Sequence, residues 1–329
     1  MADSRNRDDI RVLLEDSMLG ILAITLFVIL SAGRDVFFSD ELQSAPFFVV
    51  ALVAFGTCSI VFLAISLLER RRSLHVIFAD PLTLVCMNTF TATAWLSYFY
   101  SIRTIEPAIT ATIHAGIGPL VLGASAALGI RIVDLGTMSR LEAACQRGIL
   151  GTLVYMVGVA YLGHAATGAE GVPALIGCMF AVVSGTSITL SLLFSKRMHE
   201  GGASAAAVVA TRFVGIVAVA AIVLSMGVGS DYFASETPAS LGRLAMMAFV
   251  LMAVPLYVNQ VGTKLCSPTT VKVMLSLGPV ALIALQSIVG GLDLSPYSLA
   301  GVLAYSTFAC LAVAARLAHG LLDRPAAQT

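Results

Sequence analysis

Charge is scarce in this chain. Asp, Glu, Lys and Arg make up 12% of its 329 residues, about half their share in a soluble domain. The 19 basic and 19 acidic residues cancel, so no basic surface argues for a nucleic-acid partner. Strict apolar–polar alternation is missing, which excludes a β-barrel. The cysteines (Cys58, Cys86, Cys145, Cys178, Cys266, Cys310) are scattered without a CxxC pair. Neither a disulfide framework nor a zinc site follows from them. No Gly-x-Ser-x-Gly pattern and no phosphate loop occur. His75, Asp80, His164 and His199 stand alone, without metal spacing. No catalytic residue, metal or cofactor is therefore expected. A signal peptide is not expected either. Asp8, Asp9, Glu15 and Asp16 precede the first apolar run, which is too long and has no small-residue cleavage site.

Apolar residues fill the space, at 58% of the chain. Ten runs reach the length of about 20 residues that a helix needs to cross a bilayer. They lie near 17–38, 46–68, 79–102, 107–129, 147–165, 172–195, 204–228, 241–262, 268–291 and 296–318. The expected fold class is an all-α integral membrane protein with ten transmembrane helices. The lipid bilayer is then its surroundings, and no soluble domain is visible. Residues 1–16 read as an N-terminal segment and 320–329 as a short tail.

Lys and Arg give the orientation. With the N-terminus in the cytoplasm, the inner segments hold Arg5, Arg7, Arg11, Arg70, Arg71, Arg72, Arg131, Arg140, Arg147, Lys196, Arg197, Lys264, Arg316 and Arg324. The outer side holds only Arg34, Arg103 and Arg243, at span ends. Outer loops are acidic instead, as in Ser39-Asp40-Glu41, Thr167-Gly168-Ala169-Glu170 and Asp231…Glu236. This positive-inside pattern predicts cytoplasmic N- and C-termini.

One pattern occurs twice. Glu106-Pro107 opens an apolar run that reaches Gly118-Pro119, and Ser267-Pro268 opens another that reaches Gly278-Pro279. A Pro in the first helical turn is harmless, because its missing N–H would be unpaired there anyway. A Pro three turns on frees a carbonyl and bends the helix. Pro119 and Pro279 are therefore candidate kinks. Interrupted spans at matching places in two halves point to internal repeats and to the substrate site between them. Five spans per half is an odd number, so the repeats, 17–165 and 172–319, are expected to be inverted.

These motifs resemble the EamA-type proteins of the drug/metabolite transporter superfamily. The resemblance rests on Ser31-Ala32-Gly33-Arg34-Asp35-Val36-Phe37 in the first span and Thr211-Arg212-Phe213 in the seventh. It rests also on Tyr98-Phe99-Tyr100 ending the third, Pro107…Pro119 in the fourth, and Ser267-Pro268-Thr269-Thr270…Pro279 in the ninth. It covers nearly the whole chain. The first half has Ala54-Phe55 where Arg-Phe is usual. Gly129-Ile130 and Gly291-Leu292-Asp293 stand where Gly-Glu is usual. The resemblance implies a ten-helix transporter with a central cavity lined by the third, fourth, eighth and ninth spans among others.

The rare polar residues within spans are the site candidates. Lys272 lies one turn into the ninth span. Intramembrane charge is costly and usually faces a wet cavity, although an ammonium so placed can also snorkel to the interface. His114, deep in the fourth span, can bind a carboxylate or take a proton; it can equally bridge to a neighbouring helix. Arg212 reads first as a structural arginine that binds helix-end carbonyls. Arg34 and Asp35 form either an outer gate or a polar helix end. Adjacent residues point about 100° apart, so the two need not pair. Asn88, Thr91, Trp95 and Tyr98 share one face of the third span, as a wet wall or as packing. Tyr257, Asn259 and Gln260 can face Lys272 across a short turn.

These features give a secondary transporter of a small polar metabolite working by alternating access across the cytoplasmic membrane, with export the expected direction. Cations outnumber acids within the spans, so the small-molecule substrate is expected to carry a carboxylate, as amino acids and organic acids do. The alternatives are a transporter of cationic or neutral drug-like solutes and a membrane-embedded lipid-modifying enzyme. The first lacks the deep carboxylate that proton-coupled cation export needs; the second lacks a clustered Asp/His/Glu site.

Overall fold

A computed structural model describes residues 2–37, 46–69, 71–130, 132–135, 138–166, 171–228, 232, 237–289 and 295–322. All regular elements among them are helical. They are α1 (Ala2–Phe37), α2 (Phe47–Glu69), α3 (Arg71–Ala79), α4 (Pro81–Thr104), α5 (Pro107–Ala127), α6 (Arg140–Ala166) and α7 (Gly171–Glu200). They continue with α8 (Ala205–Arg212), α9 (Val214–Ser225), α10 (Pro238–Ala248), a π-helical turn (Phe249–Ala253) and α11 (Val254–Leu265). The last are α12 (Pro268–Leu275), α13 (Gly278–Val289) and α14 (Pro296–Leu322). Asp40, Glu41, the 167–170 loop, Asp231, Glu236, Arg70, Arg131, the 291–293 segment and the tail 323–329 lie outside the described residues.

Among the described residues, 9 segments are long and apolar enough to cross a membrane, and up to 10 if the bent pair formed by α3 and α4 is one span. Their outer faces stay apolar, as Leu22, Leu26 and Ile29 on α1 and Val154 and Leu162 on α6 illustrate. Water would leave that much apolar area unfavourably exposed, whereas lipid tails cover it. The chain is a multi-pass membrane protein.

The helices do not follow the ten runs in every detail. α3 was not expected: it meets α4 at 90°. Asp80 makes that corner. It caps α4 by accepting from Thr83 N (3.2 Å) and Thr83 Oγ1 (2.7 Å), with Pro81 in the first turn. Arg197 Nε on α7 donates to the same carboxylate at 3.2 Å.

Among the described residues, three spans are interrupted besides the bent α3–α4 pair. The seventh breaks at Phe213, between α8 and α9; the eighth contains the π turn; the ninth breaks at Ser276-Leu277, between α12 and α13. The two expected proline kinks therefore differ. Pro279 follows the break, where Leu277 N turns to the i−3 carbonyl of Met274 (3.1 Å). Pro119 sits inside an uninterrupted α5. There the chain passes the missing N–H without leaving helical geometry.

α4 and α7 form the most extensive pairing, at the middle of the molecule. On one side, α2, α4 and α8–α11 enclose a core around Phe55, Phe213 and Met252. On the other, α5, α6, α7 and α14 enclose one around Ile113, Met156 and Tyr305. Each core mixes helices from both parts of the chain. Polar ties join α14 to earlier helices, among them Tyr155 Oη donating to Tyr297 O at 3.2 Å. Ser298 Oγ donates to Glu106 Oε2 at 2.6 Å, and Arg316 Nε meets Glu142 Oε1 at 2.6 Å. Glu142 also closes a reciprocal cap on α6: Ser139 N donates to Glu142 Oε2 (2.6 Å) and Glu142 N to Ser139 Oγ (3.2 Å).

Candidate functional site

A cavity of about 160 Å³ lies between α1, α4, α5, α7, α8, α11, α12 and α13. Its polar lining is Ser31, Arg34, Asp35, Trp95, Tyr98, His114, Arg212, Asn259 and Lys272. Pro279 and Gly278 line it from the start of α13. The interrupted spans explain why polar groups can gather here, since non-ideal backbone at membrane depth is tolerated where it borders a cavity.

Lys272 is 5% exposed. Its stem runs over Gly118 on α5, where an added Cβ would stand 2.9 Å from Lys272 Cδ. The absent side chain in Gly118-Pro119 thus leaves room for a cation from the other half of the chain. Lys272 Nζ has no hydrogen-bond partner among the described residues, nor does it meet a carboxylate there.

Arg212 is 3% exposed. Its Nε and one terminal nitrogen donate to Thr91 Oγ1 (3.4 Å) and Ser191 Oγ (3.0 Å). The guanidinium lies 5.4 Å from the Phe213 ring centroid. The expected carbonyl-binding role of Arg212 is corrected: its partners are hydroxyls, and it borders the cavity. Asn88 takes the carbonyl role instead. Its Nδ2 donates to Thr211 O (2.9 Å), and Gly215 N donates to its Oδ1 (2.8 Å). One amide thus pairs backbone groups on both sides of the Phe213 break. Asn88 and Thr91 do not line the cavity, because α7 and α8 cover that end of α4. Only the Trp95–Tyr98 end of the expected polar face reaches it.

Arg34 and Asp35, which adjacent helical positions leave free to pair or not, do pair, at 2.6 Å. The long Arg34 stem bridges that angle, and its guanidinium also lies 5.8 Å from the Trp95 ring centroid. Trp95 packs among Phe55, Tyr98 and Phe99. Tyr98 stands edge-on to His114, with centroids 5.1 Å apart.

His114 bridges to a neighbouring helix and lines the cavity as well. Its Nδ1 is 2.9 Å from Ser184 Oγ, and Ser184 gives its one hydroxyl hydrogen to Ala94 O at 2.7 Å. Ser184 must therefore accept, so Nδ1 carries the hydrogen. Nε2 remains as an acceptor, with no partner among the described residues.

Tyr257, Asn259 and Gln260 separate, because successive helical positions turn by about 100°. Asn259 lines the cavity with Lys272. Gln260 Oε1 pairs with His199 Nε2 at 3.1 Å, and Tyr257 stacks on Phe62 at 5.0 Å. Neither joins the site. Sequence reasoning missed Phe27, Ser31 and Ile188 as lining. Phe27, Ser31 and Arg34 recur at helical spacing along α1, a signal that could have found the first two. Ser31 Oγ and Asn259 Oδ1 are buried without a partner among the described residues.

No protein-family model matches the sequence. No curated protein matches it either. Chains of solved structures do, 28 in number. One of these, described only as "Crystal structure of protein", is similar to this chain with a TM-score of 0.63 and 17% sequence identity. The likeness covers 91% of this chain and 96% of the other, and what the two share is the fold.

Proposed function

We propose that the chain is a secondary transporter of the EamA type, within the drug/metabolite transporter superfamily, that moves a small carboxylate-bearing metabolite across the cytoplasmic membrane by alternating access. In this reading residues 17–165 and 172–319 are inverted five-helix repeats, and both termini are cytoplasmic. The reading draws support from a cavity bordered by helices of both parts of the chain, with α5 and α12 each opening on a proline. The basic residues on the inner side support the orientation.

One observation carries the substrate class. Lys272 and Arg212 are two buried cations in one cavity, and Asp35, the only acid among the described lining residues, is already held by Arg34. A buried cation without a counter-charge is costly, and an anionic substrate removes that cost on binding. The test is a thermal-shift screen of purified protein against metabolites, since a ligand of the folded state raises apparent stability by mass action. Carboxylates are expected to raise the melting temperature of the wild type, and much less so that of Lys272→Gln. A charge-assisted hydrogen bond is worth roughly 1.5–3 kcal/mol, or about one to two decades in affinity. Lys272→Arg should recover part of the loss, because charge is kept while geometry changes. Stabilisation by lipophilic cations but not by carboxylates would sink the proposal.

A further inference from the structure

We infer that the substrate is a small dicarboxylate, with one anionic group for Lys272 and one for Arg212. This rests on the anion-transport reading above and narrows it. Among the described residues lining the cavity are three basic side chains, Arg34, Arg212 and Lys272, and one acid, Asp35. Asp35 and Arg34 neutralise one another at 2.6 Å, so Arg212 and Lys272 are left without an acid partner in the described lining. A zwitterion or a monocarboxylate leaves at least one of them so. A dianion gives each an anionic partner, and an adjacent anion is what favours the charged form of a buried basic group.

The donor inventory agrees. Arg212 has five N–H donors and Lys272 three. Thr91 and Ser191 accept from two of the Arg212 donors. The other three, and all three of Lys272, lack an acceptor among the described residues. Two carboxylates supply four oxygens in two separate groups. That suits cations which arrive from different helices, Arg212 on α8 and Lys272 on α12. The volume of about 160 Å³ is below that of sites for drug-sized ligands, so the carbon skeleton between the carboxylates is short.

The test is calorimetric titration of the full-length protein in lipid nanodiscs with succinate, butyrate and 4-aminobutyrate. These share a four-carbon chain and carry two, one and no net negative charges near neutral pH. Succinate is expected to bind at least tenfold tighter than butyrate, and 4-aminobutyrate most weakly. Lys272→Gln and Arg212→Gln should each lower succinate affinity roughly ten- to a hundredfold, towards that of butyrate. Butyrate binding as tightly as succinate, or 4-aminobutyrate binding tightest, would overturn the dicarboxylate inference and leave the carboxylate reading standing. If none of the three binds while a lipophilic cation such as tetraphenylphosphonium does, both fall. The wild-type series decides even if a variant fails to fold.

Discussion

At Gly118 the lack of a side chain decides how Lys272 lies. A methyl group there would meet Lys272 Cδ at 2.9 Å, and a flexible stem can yield where backbone could not. Gly118→Ala should therefore fold, with a melting temperature within a few degrees of wild type. Its anion affinity should fall about five- to tenfold, the order of a weakened charge-assisted hydrogen bond. Titration and melting of the same preparation check this; a folded variant with unchanged affinity would mean that the stem does not position the ammonium. The chemistry of the cavity was legible in the sequence because charge inside a membrane helix is so rare that Lys272, Arg212, His114 and Arg34 stand out. The partners were not legible. Whether Asn88 or Arg212 pairs the Thr211 carbonyl depends on the angle at which α8 crosses α4, which residue spacing along one helix does not contain.

Among the elements, the seventh span shows how a break is held. Asn88 pairs Thr211 O and Gly215 N across Phe213, and the residue just before the break is Arg212. Asn88→Ala leaves both backbone groups without that partner, at a cost of about 1–3 kcal/mol for a buried group. Lower thermal stability and weaker anion binding are expected together, the second because Arg212 loses its fixed base. An Asn88→Ala protein that melts and binds like wild type would show that the break stands without the clamp. The long helices were readable from apolar run length alone. α3 was not, since nine residues are too few for that signal and its corner depends on the Asp80 contacts with Thr83 and Arg197. The proline pair reads the same in both halves, yet only Pro279 follows a break. The difference comes at Leu277: Ser276 N still reaches its i−4 carbonyl on Lys272 (3.1 Å) while sharing with Val273 O (3.3 Å), and Leu277 N turns to the i−3 carbonyl of Met274 (3.1 Å).

For the whole molecule, the proposed inward placement of both ends is open to direct test. With the six native cysteines replaced, Gly201→Cys between α7 and α8 should react with an impermeant thiol reagent only from the cytoplasmic side, and Thr237→Cys before α10 only from outside. Labelling of Gly201→Cys in intact cells would reverse the assignment. The uncompensated pair in the cavity also bears on the transport cycle. On the proposed transport reading, a carrier closes over its site to change sides, and when empty it would close over Lys272 and Arg212 with no anion between them and water excluded. Loaded, the same closure meets balanced charge. The empty return step should then be slower than the loaded one, so the protein should work as an exchanger, in which a molecule bound on the far side speeds the next one across. Proteoliposomes preloaded with the transported anion should take up labelled anion faster than empty vesicles, and equal initial rates would show that the vacant cavity closes as readily as the filled one.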